Sequence, residues 1–122
     1  MEHEKANNIS KQMAALVIAA LEDKKAEDIR VIDIADISTL GDYFILASGT
    51  NRIQIQAMSD EVERSMALAG HGLRHVEGYD HANWVLLDYS DVIIHIFDQE
   101  NRLFYNLERI WRDGREISAD LF

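Results

Sequence analysis

The sequence predicts a single domain of the α/β class, in an α+β layered arrangement: a mixed β-sheet of about five strands packed with helices. Three observations carry that expectation. The chain has 122 residues, enough to close one hydrophobic core and too few for two. Apolar residues recur at helical spacing in some stretches and gather in short β-branched runs in others, in the order α-β-β-α-β-β-β-α. Cysteine and proline are both absent, so the fold rests on packing, without disulfide staples or thiolate metal sites. Residues 1–122 read as one domain, with no repeat, linker or low-complexity segment.

Ile9, Met13, Leu16, Val17, Ala20 and Leu21 share one helical face, with Asn7, Asn8 or Ser10 as candidate caps and an end near Asp23. Residues 28–34, rich in Ile and Val, and residues 42–48 read as largely buried strands that form a hairpin across a Ser-Thr-Leu-Gly bend. Helical spacing returns with Ile55, Met58, Val62, Met66 and Ala69; Asn51 is the expected N-cap, and Gly70 is placed to end the helix in the left-handed conformation. Three strands are expected next, at residues 73–77, 83–89 and 91–97, with a turn at 78–82 and a tight connection at Ser90. Asp98 then caps a helix whose stripe is Leu103, Phe104, Leu107, Ile110 and Trp111. Residues 113–122 have no clear period and read as a tail, either frayed or packed as an appendage.

Charge narrows the function classes. With 22 acidic against 12 basic residues the formal charge is −10, and Lys24-Lys25 is the single adjacent basic pair. Such a chain repels a polyphosphate backbone and suits a basic protein partner, so little direct nucleic-acid binding is expected. The first eleven residues lack the apolar core of a secretory signal and the Arg-rich bias of a transit peptide. The longest apolar runs, 14–21 and 92–96, are far too short to span a membrane, so a cytoplasmic location is expected.

Several constellations invite a chemical reading. Ser48-Gly49-Thr50-Asn51 precedes a helix, where backbone donors can hold an anion, and Asp88 or Asp91 would then hold magnesium. The stretch lacks a Walker pattern and a nearby lysine, with Arg52 its one cation; capping and a tight turn account for it more simply. His75, Glu77 and His81 resemble a metal cluster, yet nothing fixes His81 over the face of the other two, and an ordinary strand and turn is preferred. His95, within Val92-Ile93-Ile94-His95-Ile96-Phe97, reads as a hydrogen-bonded, half-buried histidine, and Ser48 and Ser90 lack a nucleophile elbow. No catalytic residue, cofactor or metal is therefore expected. Trp84 differs: along residues 84–89 one pleat face carries Trp84, Leu86 and Asp88 and the other Val85, Leu87 and Tyr89. A tryptophan on an open face beside a leucine and a carboxylate is a binding anchor, and on a closed one it is core.

Three blocks lie in order along the chain: Asp42-Tyr43-Phe44-Ile45-Leu46-Ala47-Ser48-Gly49-Thr50, then His75-Val76-Glu77-Gly78-Tyr79 with the run from Trp84 to His95, and finally Phe104-Tyr105-Asn106-Leu107-Glu108-Arg109-Ile110-Trp111. Together they resemble the Iojap-like family, the ribosomal silencing factors. The resemblance implies a nucleotidyltransferase-like fold without catalytic residues, and indeed no D-x-D pair follows Ser48-Gly49-Thr50. It implies binding to the large-subunit ribosomal protein fourteen on the free large ribosomal subunit, a steric block to subunit joining, repression of translation, and a homodimer. It also implies a docking surface in the block 77–92: Trp84 and Leu86 as apolar anchors, Asp88 and Asp91 facing basic groups, Glu77 and Tyr79 at the rim, with Tyr89 and Val92 in the same block. The alternative is an enzyme or nucleotide-binding protein of that fold, with a magnesium site near Ser48 to Asn51 and Asp88 or Asp91.

Overall fold

The computed structural model describes residues 2–35, 41–99 and 115–122. Helix α1 (Glu2–Asp23) is followed by β1 (Glu27–Asp33), β2 (Tyr43–Gly49), α2 (Arg52–Leu68), β3 (His75–Glu77), β4 (Trp84–Asp88), β5 (Val92–Asp98) and β6 (Arg115–Ile117). The strands form a six-stranded sheet in the order β3-β4-β5-β2-β1-β6. Only the central pair among the described strands, β2 with β5, is parallel; every other pairing is antiparallel. The sheet is thus mixed, as expected, and β1 and β2 do form a hairpin pair.

The centre of the sheet is its driest part. β2 is buried along all of its length and β5 along all but its last residue, because both of their faces are covered. On one face α1 and α2 pack over Val31, Ile45, Ala47, Val85, Leu87, Ile94 and Ile96, closing the main core. The other face carries a second cluster of Ile32, Ile34, Phe44, Leu46, Ile93 and Phe97, against which Trp84 and Leu86 pack in part. This split follows directly from strand alternation.

The helix ends are built alike. Asn51 caps α2, its side chain accepting from the Gln54 amide at 2.8 Å. At the other end Gly70, at φ +87°, lets its own amide reach the Ala67 carbonyl and that of His71 reach Met66, the paired bonds of a Schellman motif. α1 ends with the same pair of bonds, Lys25 to Glu22 and Ala26 to Leu21, but the residue at positive φ is Lys25.

The structure departs from the sequence expectation in several places. α1 begins at Glu2, so Asn7, Asn8 and Ser10 lie inside the helix; Ser10 is buried and donates to the Asp42 carboxylate at 2.5 Å, while Ile9 points outward. β3 is shorter than predicted, starting at His75. The tail takes the packed alternative: β6 pairs with β1, a 3-10 turn follows at Ala119–Leu121, and the Phe122 ring meets Tyr43 edge-on at 5.4 Å. The helix expected after Asp98, with Phe104 and Trp111 in its stripe, lies outside the described residues.

Candidate functional site

The register of the sheet decides which of the candidate residues meet. Glu77 stands opposite Leu86, and Leu86 opposite His95; His75 stands opposite Asp88, and Trp84 opposite Phe97. Directly paired residues share a face, so Glu77, Trp84, Leu86 and Asp88 lie together on the face away from the helices. Trp84, Leu86 and Asp88 are each half-buried, whereas Val85 and Leu87 between them are fully buried on the helix side. Glu77 at the sheet edge is exposed and pairs with its strand neighbour His75, Nε2 to Oε1 at 3.0 Å.

The indole of Trp84 is held from below. Its N–H donates to His95 Nδ1 at 2.8 Å, and its ring lies 5.5 Å from that of Phe97 and 5.7 Å from that of His95. Phe44 closes on the imidazole at 4.3 Å. His95 is only 6% exposed, and burial lowers its pKa to about 3, so the ring is neutral.

Asp88 and Asp91 sit at the turn between β4 and β5. Asp88 accepts from the Ser90 amide at 2.8 Å, and the Asp91 amide returns to the Tyr89 carbonyl at 2.9 Å across Ser90, whose φ is +72°. That i to i+2 bond at positive φ is the strained form of γ-turn. The Asp91 carbonyl accepts from the amides of Asp42 and Tyr43, fixing the turn to the start of β2, and its side chain is left exposed.

Three expected contact residues lie elsewhere. Tyr89 and Val92 are interior, 4% and 0% exposed within the main core, so they support the turn and present no surface; burial, helped by the charge of Glu63, pushes the Tyr89 phenol up to about 12. Tyr89 falls in phase with Val85 and Leu87 along the chain, and Val92 falls in phase with Ile94 and Ile96, which pair with Leu87 and Val85 across the strands. Tyr79 turns toward α2, its hydroxyl donating to Asp60 at 3.1 Å while its carbonyl accepts from the Gln56 side chain at 3.0 Å. The loop can run there because Gly78, at φ +79°, comes so near β4 that a Cβ would lie 2.1 Å from the Trp84 carbonyl oxygen.

The phosphate-cradle reading of residues 48–51 meets a different arrangement. The Thr50 amide already donates to Gln54 Oε1 at 2.7 Å, the Gln54 amide to Asn51, and Gln54 Nε2 to the carbonyls of Lys24 and Lys25. Gly49 is needed for packing, since a Cβ there would stand 2.7 Å from Ile55 Cγ1. The donors of this turn therefore serve the junction of α1, β1 and α2. No group of three or more His, Asp or Glu side chains that could hold a metal ion occurs among the described residues, nor is any described helix long and apolar enough to cross a membrane.

An α+β domain with one aromatic, acid-edged face is the class that fold and site define. A family model described as "Ribosomal silencing factor during starvation" matches residues 7–121, and the chain belongs to this family. The Bacillus subtilis ribosomal silencing factor is 39% identical over 110 residues, covering 90% of this chain and 93% of the relative. That of Halalkalibacterium halodurans is 32% identical over 111 residues, covering 91% and 95%. A crystal structure from Chromobacterium violaceum superposes with a TM-score of 0.82 at 31% identity, covering 88% of this chain and 89% of that one.

Proposed function

We propose that the protein represses translation by occupying the free large ribosomal subunit, through its ribosomal protein fourteen, and so excluding the small subunit. The observation that carries this reading is the face of β4. Trp84 and Leu86 present apolar surface there, with Glu77 and Asp88 on the same face and Asp91 at the adjoining turn. An aromatic anchor ringed by carboxylates suits a basic protein surface, where the anchor supplies affinity and the charges supply orientation and speed. Membership of the silencing-factor family and a formal charge of −10 point the same way.

The mechanism asks for no bond making. Subunit joining is an equilibrium, and a ligand that binds only the unjoined large subunit draws that equilibrium toward the separated state in proportion to its concentration over its dissociation constant. The protein accordingly works without a cofactor, in the cytoplasm where free subunits are found. A homodimer belongs to the same proposal.

Gradient sedimentation of purified subunits tests it. The protein should travel with the free large subunit and suppress joining; a protein that stays at the top of the gradient while joining proceeds would remove the reading. Trp84→Ala should weaken large-subunit binding at least about thirtyfold with the fold intact, as loss of a central aromatic anchor does. Unchanged binding would strike Trp84 from the surface.

A further inference from the structure

Trp84 and His95 are diagonal neighbours on adjacent strands, within reach of each other only because both side chains are large. The indole donates to Nδ1, so the neutral imidazole carries its proton on Nε2. The imidazole is itself fixed: Phe44 lies 4.3 Å away, Phe97 is parallel to it within 9° at 6.0 Å, and little of the ring is exposed. A rigid buried acceptor thus grips the polar edge of a half-buried indole. A half-buried indole that is less firmly held samples several rotamers, and a partner that must freeze it loses affinity.

We infer that His95 is a positioning residue for the docking surface, holding Trp84 in a single rotamer before the partner arrives. This inference rests on the docking reading above and adds to it a residue that never touches the partner. A leucine or phenylalanine at position 95 would supply apolar packing between Phe44 and Phe97 but no acceptor. Only a side chain with an acceptor at the δ position can read the orientation of the indole.

The test uses the full chain. In a proton–nitrogen correlation spectrum the Trp84 indole N–H is assigned by its loss in Trp84→Phe, and in the wild-type protein it should exchange with solvent at least about tenfold more slowly than a free indole. His95→Phe keeps a ring and removes the acceptor; it should restore fast exchange and weaken binding to isolated large subunits about tenfold. His95→Asn returns an oxygen to the δ position without the ring, and should keep the exchange protection and bind within about threefold of wild type.

Fast indole exchange in the wild type overturns the inference, as does a folded His95→Phe that binds normally. So does His95→Asn binding as poorly as His95→Phe, because the ring and not the acceptor would then be what matters. Should His95→Phe fail to fold, wild-type exchange and His95→Asn decide the matter. A protected indole combined with normal binding by Trp84→Ala identifies the other failure, that of the docking reading, and takes the inference with it.

Discussion

His95 couples the state of one ring to the stability of the molecule. Its pKa falls from the ordinary value of 6.5 to about 3 on folding, because burial penalises the charged form. The unfolded chain therefore binds a proton at a pH where the folded chain does not. The resulting stability is fully present above the unfolded pKa and drains away as pH falls through the window from 6.5 toward 3. Between neutrality and about pH 5 the loss should be about 2 kcal/mol, a substantial part of the roughly 5–15 kcal/mol that holds a domain of this kind. Urea midpoints measured across that range should fall for the wild type and stay nearly level for His95→Asn, since asparagine does not titrate. A level wild-type profile would show that the imidazole finds water or a proton partner on acidification.

At the scale of elements, the two helix ends offer a controlled comparison. Both finish in a Schellman motif, with glycine at the positive-φ position of α2 and Lys25 at that of α1. Lys25 is exposed, and the bond it receives from Gln54 goes to its backbone carbonyl, so Lys25→Gly keeps the contacts and relieves the left-handed strain. Thermal or urea unfolding should show a gain of about 0.5–1 kcal/mol. The last strand can be tested by removal. Deleting residues 115–122 strips β6 from β1 and Phe122 from Tyr43, which should lower the unfolding midpoint and expose the β1 edge to self-association, visible by light scattering.

These same elements show what a reader of the sequence can and cannot see. The Asn51 cap, the Gly70 ending and the alternation of Trp84, Leu86 and Asp88 with Val85 and Leu87 are local signals, and the structure places all of them as expected. Tyr89 was legible too, in phase with Val85 and Leu87, whereas the face taken by Val92 depends on how β5 pairs with β4. β6 was not legible, because three residues have no measurable period and owe their conformation to β1. Nor was the partnership of His95 with Trp84, which depends on the register between β4 and β5. Register is a property of two segments at once, and one segment cannot display it.

The molecule as a whole meets its surroundings through charge. At −10 it carries a field that should draw it toward a basic surface and turn its acidic face inward during approach. Association with large subunits, followed by stopped flow, should slow steeply as salt rises from about 50 to about 500 mM while dissociation changes much less, since screening acts on the encounter. An association rate indifferent to salt would mean that Glu77, Asp88 and Asp91 contribute nothing to steering.

The parallel seam between β2 and β5 has a further consequence, which concerns how the chain reaches this structure. It pairs Tyr43 with Val92 and Gly49 with Asp98, so the driest part of the sheet is made from segments lying far apart along the chain, with α2, β3 and β4 between them. The hairpin of β1 and β2 and the meander of β3, β4 and β5 can each assemble locally. Each then presents an apolar strand edge that only the other can cover. Closing that seam must spend the chain entropy of a long loop before any of its hydrogen bonds form, which makes it the slow step of folding and its two open edges the place where newly made chains would adhere to one another.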